Sequence, residues 1–427
     1  MRRYLVKIHG LAFSETAKDT YILFVGNIGS AFFGFLFTLF IARALSIEDF
    51  GVFSAATNFI FILASFTDLG ISSGLVKFIS GFEKIKESEL EARYIKAGLV
   101  VKIITTCFAA LAVFIFARFF AEHLFATADL TVSIWVIIIS FSMIIPSYFS
   151  FVFQGQKRFL SSALFDNVYG LSRVILVLLS GLSGYTLYKV FGSFALAFLP
   201  SLIFTLFALG SRFIFAKTKT EDYRTLLKFS GWLGVNKIVS AFSGRLDVTM
   251  LATLAGATAV GFYSVPSKLA MFIALFVGSY SSVLAPRLSA FNNQENEKTY
   301  IIKSTLALVP VTLGVVASIL FAHPFIVVLF GAKFVPAVNV FRALAVAYIP
   351  FVFTAPAVAA IIYAIKKPIH IGIFSFFQIG LLFILNLLLI PKLGEYGPTV
   401  SIGVTNIILT TYMWFVVIKH YSKKSLV

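Results

Sequence analysis

The amino-acid sequence predicts an all-α integral membrane protein with about twelve transmembrane helices in two halves of six. Three observations support this prediction: 59% of the residues are hydrophobic, only 12% are charged, and the mean hydropathy is +0.96. A soluble chain carries about 25% charged residues, so this chain lacks the side chains that a water-facing surface needs. The N-terminal segment is basic and polar, without the apolar core of a cleaved secretory signal.

Twelve segments of the sequence reach the length of about 20 mostly apolar residues that a helix needs to cross a bilayer. The first six are residues 20–42, 51–79, 95–120, 130–152, 162–183 and 188–209. The other six are residues 228–253, 259–286, 300–322, 337–364, 369–390 and 396–418. The charged loop 211–227 separates the two groups. We therefore expect an N-terminal lobe of residues 1–215 and a C-terminal lobe of residues 216–427.

The distribution of Lys and Arg between the predicted loops indicates the orientation. One side of the membrane receives 23 of these residues, from Arg2 near the start to Lys424 near the end. The other side receives only five, which are Arg43, Arg118, Lys189, Lys333 and Lys392. Cytoplasmic loops carry the basic excess in membrane proteins, so both termini are expected in the cytoplasm. The net charge of +17 thus reflects topology and anionic lipid headgroups, and no nucleic-acid partner is expected.

A short internal repeat agrees with two related halves. Gly51-Val52-Phe53-Ser54 opens the second predicted span, and Gly261-Phe262-Tyr263-Ser264 opens the eighth, 210 positions later. In both places glycine permits a close chain approach before an aromatic residue and a serine. Parallel repeats related by an axis along the membrane normal are one known plan of transporters.

Charged residues inside the predicted spans are the second signal that bears on function. Seven are basic and three are acidic: Lys77, Lys102, Arg173, Lys237, Arg245, Lys268, Arg342, Asp68, Asp166 and Asp247. Lys77 lies near a helix end, where its ammonium can reach the headgroups. Each of the other six bases costs about 2.5–3.5 kcal/mol at a helix centre, so such residues usually face a bundle interior or an aqueous cavity. Six bases against three acids leave an intramembrane excess of about +3.

Two interpretations of these charges stay open. In the structural one, acids and bases form ion pairs between helices. In the functional one, they line a cationic cavity that attracts a phosphate or pyrophosphate, to which Arg gives bidentate contacts and Lys a point charge. Lys237 and Lys268 lie near mid-membrane by residue count. Asp166 and Arg173 share one helix face but are too far apart for a one-turn pair, so each is expected to find another partner.

The remaining polar residues indicate no further chemistry. The intramembrane amides Asn27, Gln378 and Asn386 are expected to hydrogen-bond between helices. Cys107 is the only cysteine, none of the five His residues has a carboxylate at ligand spacing, and no P-loop or nucleophile motif is found. We therefore expect no enzyme activity, no catalytic residue, no metal and no other cofactor.

Several short motifs resemble one known group of transporters. In chain order they are Ala42-Arg43-Ala44-Leu45, Asp49-Phe50-Gly51, Asp68-Leu69-Gly70, Arg245-Leu246-Asp247, Val260-Gly261-Phe262-Tyr263, Lys268 and Leu329-Phe330-Gly331. Together they resemble the polysaccharide-transporter branch, which includes O-antigen flippases, of the multidrug/oligosaccharidyl-lipid/polysaccharide exporter superfamily. The likeness runs across nearly the whole chain.

The resemblance implies a fold of two six-helix lobes around a central cavity. It also implies a flippase that moves polyprenyl-(pyro)phosphate-linked oligosaccharides across the cytoplasmic (inner) membrane by alternating access, for O-antigen, capsule or a similar surface polymer. Membrane lipid and the polysaccharide polymerase machinery are the further expected partners. The extra lipid-binding helices of peptidoglycan-precursor flippases are not among the twelve predicted spans, so a lipid II substrate is not expected.

For this function, one set of cations is expected to bind the phosphates or anionic sugars: Arg173, Lys237, Arg245, Lys268 and Arg342. Asp68 and Asp247 are expected to position them or to couple an ion. The alternative is an ion-coupled multidrug exporter of the same superfamily, although a pump for organic cations would need an acidic cavity. A membrane glycosyltransferase or polymerase is disfavoured because no predicted outside loop exceeds about a dozen residues.

Overall fold

The structure of the chain, a computed structural model, describes residues 15–85, 87–291 and 293–423. Within these ranges the chain is built from helices and connecting turns, with no strand. Five of the basic residues used to predict the orientation lie outside the described residues: Arg2, Arg3, Lys7, Lys86 and Lys424.

In the residues that the structure describes, eleven helices lie in the first half of the chain and nine in the second. The first eleven are α1 (Glu15–Ala44), α2 (Ile47–Asp68), α3 (Ile71–Ile85), α4 (Ser88–Ile115), α5 (Ala117–Leu124), α6 (Thr131–Ser142), α7 (Ile144–Gly155), α8 (Phe159–Gly181), α9 (Leu187–Leu196), α10 (Phe198–Leu209) and α11 (Arg212–Phe215). A single residue separates α6 from α7 and α9 from α10, and each of these two pairs forms one long span, Thr131–Gly155 and Leu187–Leu209.

Nine further helices and two other helical turns cover the second half. The helices are α12 (Thr220–Ser243), α13 (Leu246–Ala290), α14 (Gln294–Leu306), α15 (Val309–Leu320), α16 (Ala322–Phe330), α17 (Val335–Val352), α18 (Thr354–Ala359), α19 (Ile369–Leu393) and α20 (Tyr396–Lys423). A 3-10 turn precedes α17 at Ala332–Phe334, and a π-helical turn follows α18 at Ala360–Ala364.

The chain is a multi-pass membrane protein. In the described residues, eleven helical segments are long and apolar enough to cross a membrane. Large apolar side chains such as Phe108 and Phe376 are exposed on them, as a lipid-facing surface requires. Helix α12, which contains the first part of the predicted span 228–253, is not among the eleven, and within that span it carries Lys228 and Lys237. With α12 included, the architecture matches the predicted all-α fold of about twelve helices.

Several predicted spans are interrupted where hydropathy predicted continuous helices, and two of these breaks bear on the charged residues. The span 51–79 is broken between α2 and α3, where Leu69 and Gly70 have φ values of 46° and 76°. The span 228–253 is broken between α12 and α13, and α13 itself bends at Gly256, whose φ is 82°. Hydropathy did not predict the changes of direction at Leu69, Gly70 and Gly256 because a left-handed residue turns the backbone without changing its polarity.

The contacts between α-carbons divide the described residues into two compact units. The first contains the chain up to Ser46 together with Ala56–Arg245, and the second contains Ile47–Ala55 together with the chain from Leu246 onward. Residues 216–245 group with the first unit because α12 packs against α3 and α4. The predicted lobes, which meet between residues 215 and 216, differ from this grouping and stay a prediction about the arrangement in the membrane.

The repeated glycines meet each other inside the second unit. A Cβ on Gly51 would overlap with the carbonyl oxygen of Ala257, and a Cβ on Gly261 would overlap with that of Ile47. These contacts are reciprocal, since Ile47 and Ala257 are separated by the same 210 positions as the two glycines. Reciprocity of this kind is the signature of a two-fold relation between two contacting segments. It supports the internal repeat that the sequence indicates.

The last helix supports an irregular stretch of an earlier span of the second unit, where α17 ends and α18 begins. Three side chains of α20 donate hydrogen bonds to main-chain carbonyl oxygens at or next to the end of α17: Asn406 to Ala347 at 3.0 Å, Thr410 to Pro350 at 2.9 Å and Trp414 to Phe353 at 3.0 Å. Non-helical backbone at membrane depth is tolerated where neighbouring side chains satisfy its polar groups. These three bonds perform that role here.

Replacing Trp414 with phenylalanine is expected to lower stability by about 1 kcal/mol. The change keeps an aromatic ring but removes the N–H that reaches the carbonyl of Phe353. We would measure the apparent melting temperature of the detergent-purified protein. Trp232→Phe is the matched control, because Trp232 is 81% exposed and has no hydrogen-bond partner in the described residues. Equal melting temperatures of the two variants would contradict the prediction.

Candidate functional site

The break between α2 and α3 creates the most charged buried site of the first unit. A Cβ on Gly70 would lie 2.5 Å from the main-chain nitrogen of Gly234 and 2.5 Å from the carbonyl oxygen of Ser230, both in α12. Glycine is therefore needed at position 70 for its positive φ and also for this close approach. The glycines hold the end of α2, and with it Asp68, directly against α12.

Asp68 binds two lysines that come from different helices. Lys102 of α4 donates to its Oδ1 at 3.1 Å, and Lys237 of α12 donates to its Oδ2 at 2.8 Å. The hydroxyl of Ser72 also donates to Oδ1. Lys102 makes a second hydrogen bond, to the hydroxyl oxygen of Ser147 at 2.9 Å. We call Asp68, Lys102 and Lys237 the charged triad.

The triad carries one more positive charge than negative, and the surplus is accessible on one side only. The side chains of Asp68 and Lys102 are 1% and 2% exposed, whereas that of Lys237 is 36% exposed. Burying a charge is costly unless it is paired and hydrogen-bonded, and the fully enclosed pair meets both conditions. Lys237, with the ring of Phe151 at 5.4 Å, is the member that an anion could reach.

Arg173 on α8 is surrounded by aromatic rings. Its guanidinium carbon lies 4.7 Å from the ring centre of Tyr169, 5.3 Å from that of Phe37 and 5.7 Å from that of Phe194. Its Nε is buried and has no hydrogen-bond partner in the described residues. Cation–π contacts of this kind stabilise a desolvated guanidinium without neutralising it. Arg173 therefore keeps its full positive charge.

Asp166 does not pair with Arg173, in agreement with the seven-residue spacing. Its Oδ2 accepts a hydrogen bond from Ser150 at 2.8 Å. The hydroxyl of Ser150 is in turn 3.0 Å from that of Ser162, which accepts a bond from Gln154. This polar cluster joins α7 to α8. It accounts for the presence of Asp166 inside the span, so no substrate contact is needed to explain this residue.

Arg245 and Asp247 flank the start of α13 and fall in different units. The guanidinium of Arg245 lies over the ring of Phe61 at 4.6 Å, and its carbonyl oxygen accepts a hydrogen bond from Asn58 at 3.2 Å. Asp247 belongs to the second unit, where its Oδ2 accepts a hydrogen bond from the buried hydroxyl of Tyr263 at 2.6 Å.

The last two predicted cations also belong to the second unit. Lys268 is exposed on α13, and its ammonium lies 6.0 Å from the ring centre of Phe50. Arg342 on α17 donates to the carbonyl oxygen of Ile319 at 3.2 Å and to Asn339 at 3.3 Å. Among the described residues Arg342 has no carboxylate partner.

Of the predicted site residues, the structure brings Asp68 and Lys237 into direct contact. Lys102 is the residue that the sequence reasoning missed as a partner of Asp68, although it was recognised as an intramembrane base. No local spacing could have indicated this pair, since the two residues lie 34 positions apart on separate helices. A shared site for all five predicted cations stays a prediction.

Two curated relatives are similar to this chain over about three quarters of its length. A Shigella flexneri protein named as an O-antigen transporter is 22% identical over 332 residues, which cover 74% of this chain and 77% of the relative. A Haloferax volcanii protein named as the low-salt glycan biosynthesis flippase Agl15 is 23% identical over 333 residues, covering 75% of this chain and 66% of the relative.

Solved structures show the same fold. The lipid II flippase MurJ in an inward closed conformation superposes with a TM-score of 0.72 at 17% identity, over 95% of this chain and 90% of MurJ. A multidrug resistance MATE family transporter in an inward-facing conformation gives 0.71 at 16% identity, over 92% of this chain and 96% of the transporter. The family model described as polysaccharide biosynthesis protein matches residues 16–292, which are more than half of the sequence. The chain therefore belongs to the polysaccharide biosynthesis protein family.

Proposed function

We propose that this protein is a flippase that moves polyprenyl-(pyro)phosphate-linked oligosaccharides across the cytoplasmic membrane by alternating access. The observation that carries the proposal is the surplus cation of the charged triad, where two lysines share the carboxylate of Asp68 and the accessible one is Lys237. An anionic headgroup would be stabilised there by a charge-assisted hydrogen bond. Two relatives named as an O-antigen transporter and a glycan flippase support the same conclusion.

In this proposal the cations have one shared task. They bind the phosphates or anionic sugars of the substrate: Arg173, Lys237, Arg245, Lys268 and Arg342. Asp68 and Asp247 position neighbouring groups, Asp68 by holding Lys237 and Asp247 through the hydroxyl of Tyr263. Movement of a lipid between leaflets makes or breaks no covalent bond, so the proposal includes neither enzyme activity nor a cofactor.

The proposed location is the cytoplasmic (inner) membrane, with both termini in the cytoplasm. The basic loops support this orientation, since the helix ends assigned to the cytoplasm carry most of the Lys and Arg. The partners are the lipid-linked oligosaccharide, membrane lipid and the polymerase machinery that would use the product. No nucleic acid is included among them.

An ion-coupled multidrug exporter is the second candidate, because a MATE family transporter shares the fold with a TM-score of 0.71. The charges of the first unit argue against it. An organic cation would be repelled by Lys237, which already lies beside a second lysine, and by the ring-enclosed Arg173. The flippase therefore remains the better explanation of the described side chains.

Lys237→Ala/Arg245→Ala is expected to slow lipid movement about tenfold or more, since each lost charge-assisted bond is worth about 1.5–3 kcal/mol and tenfold corresponds to about 1.4 kcal/mol. The experiment follows a fluorescent polyprenyl-pyrophosphate oligosaccharide between the leaflets of proteoliposomes. Removing Lys237 leaves Asp68 paired one-to-one with Lys102, so the variant should fold. Lys189→Ala/Arg118→Ala is the matched control, because Arg118 is exposed, the half-buried Lys189 donates only to the turn at Ser183 and Gly184, and both residues lie outside the site.

The two candidate functions give opposite results in this assay. A wild-type protein that moves no lipid but expels a cationic dye under an ion gradient would identify the exporter and overturn the proposal. Lipid movement that survives in a correctly folded Lys237→Ala/Arg245→Ala variant would leave the flippase but remove these residues from its site.

A further inference from the structure

The second unit contains a cavity of its own that the charged residues do not explain. Its volume is about 440 Å³, within the range of about 300–1,000 Å³ that is usual for small-molecule sites. Its walls come from α13, from the segment that joins α17 to the π-helical turn, and from α19 and α20. No charged side chain lines it.

Three polar side chains face this cavity without a hydrogen-bond partner in the described residues. They are Ser281, Tyr363 and Gln378. The prediction that the intramembrane amides hydrogen-bond between helices is therefore wrong for Gln378, whose amide lies at the cavity wall, and also for Asn27 and Asn386, whose side chains make no hydrogen bond in the described residues. A polar group at membrane depth that has no protein partner needs one from water or from a ligand. Phe351 and Phe374 add aromatic surface beside these groups.

The backbone next to the cavity is irregular. The π-helical turn Ala360–Ala364 supplies Tyr363 to the wall, and the chain before it is interrupted at Phe353 between α17 and α18. π-helical turns inside membrane or soluble helices occur frequently at functional sites. Here the hydrogen bonds from α20 hold the irregular segment in place. The geometry of the wall is thus specified by the fold.

The cavity lies toward the predicted cytoplasmic end of the second unit. Tyr363 directly precedes the loop that contains Lys366 and Lys367, and Gln378 lies within about ten residues of the start of α19. By the basic-loop rule these ends face the cytoplasm. A substrate assembled in the cytoplasm would meet this end of the protein before it crosses the membrane.

We infer that this cavity binds the uncharged sugar part of the lipid-linked oligosaccharide when the substrate is loaded from the cytoplasm. The inference rests on the proposed function. A neutral sugar presents hydroxyl groups that can pair with Ser281, Tyr363 and Gln378, and an apolar C–H face that can lie against an aromatic ring. A polyprenyl or acyl chain would cover those three polar groups and leave them unpaired, which is costly. A phosphate would find no cation in the lining.

The test compares two probes that differ only in the sugar. One is the polyprenyl-pyrophosphate oligosaccharide extracted from the organism that encodes the protein, and the other is bare polyprenyl pyrophosphate. Binding to the full-length detergent-purified protein is measured for both. The wild type is expected to bind the glycosylated lipid about tenfold or more tightly, because several hydrogen bonds depend on the sugar. Gln378→Leu/Tyr363→Phe should reduce this ratio to about one and leave the affinity for the bare lipid unchanged.

Asn386→Leu is the matched control. It makes a similar amide-to-leucine change on the same helix, at a residue that does not line the cavity, and it should keep the wild-type ratio. A Gln378→Leu/Tyr363→Phe variant that elutes and melts like the wild type and still prefers the glycosylated lipid would overturn the inference. Tighter binding of both lipids by that variant would also overturn it, since the cavity would then hold the lipid chain.

The outcomes for the wild type separate this inference from the proposed function. A wild type that binds both lipids equally overturns the inference and leaves the flippase untouched. A wild type that binds neither lipid overturns both. Binding of both lipids with loss of sugar preference in the variant, together with lipid movement that requires Lys237, supports both.

Discussion

Asp68→Asn is expected to destabilise the protein by about 3–5 kcal/mol, because removing one partner of a buried ion pair leaves an uncompensated charge. In this case the residue left behind is Lys102, which is 2% exposed and whose ammonium retains only the hydroxyl of Ser147 as a hydrogen-bond partner in the described residues. Lys237 also loses its carboxylate, but it is 36% exposed and can be solvated. The measurement is the apparent melting temperature and folded yield of the purified protein.

A second variant distinguishes buried charge from general damage at this position. Asp68→Asn/Lys102→Met removes the carboxylate and the enclosed lysine together, and a large part of the lost stability should return, as a coupling between the two sites. Glu122→Gln is the matched acid-to-amide control. Its partner Arg118 is exposed, and surface ion pairs contribute little, so no measurable change is expected.

The single changes Lys237→Ala and Asp68→Asn should therefore have different effects. Lys237→Ala leaves Asp68 paired one-to-one with Lys102, so it should lower the stability only slightly while it strongly slows lipid movement. Asp68→Asn should strongly lower the stability. If Asp68→Asn has the same apparent melting temperature as the wild type, the buried ion pair does not stabilise this part of the first unit.

Gly51→Ala is the second change with a large expected effect. The new Cβ would overlap with the carbonyl oxygen of Ala257, a main-chain atom that no rotamer change can move away. Overpacking against side chains costs about 1–3 kcal/mol, and a main-chain obstacle should bring the cost to the upper end of that range or beyond. We expect a strongly reduced folded yield, measured by size-exclusion of the detergent-solubilised protein.

The reciprocal geometry gives this prediction its control experiments. Gly261→Ala should have a similar effect, because its Cβ would overlap with the carbonyl oxygen of Ile47. Combining the two changes should cost less than the sum of the single effects, since one separation of the segments relieves both overlaps. Gly314→Ala, in the same unit with open space around its α-carbon, should be neutral or stabilise by about 1 kcal/mol. A Gly51→Ala variant with the folded yield of the wild type would contradict the close contact between the segments 47–51 and 257–261.

Hydropathy and loop charge carried most of the fold prediction. The length and polarity of each apolar run depend on the lipid environment alone, which is why spans such as 95–120 and 369–390 correspond closely to α4 and α19. The break at Leu69 and Gly70 escaped prediction because it depends on a backbone conformation. The sequence Asp68-Leu69-Gly70 marks the place, but only the contact of Gly70 with α12 shows why the helix must end there.

The candidate site was predictable in its residue types and not in its pairings. That Lys102, Arg173 and Lys237 would avoid lipid follows from the cost of a charge in hydrocarbon. Which of them would be neutralised does not, because the answer depends on three helices that are distant in sequence. Arg173 contacts aromatic rings, whereas Lys102 forms an ion pair with Asp68. No local sequence pattern distinguishes the two environments.

By itself, the sequence determined that this protein spans the membrane many times and that its predicted spans carry more bases than acids, and it predicts that the basic loops share one side. These properties are sums over residues, and each residue contributes independently of where the others lie. The tertiary structure alone decided that Asp68 serves two lysines, that Lys237 is the accessible one, and that Gln378 faces a cavity. Each of these depends on distances between helices, which are set by packing and by glycine contacts rather than by composition.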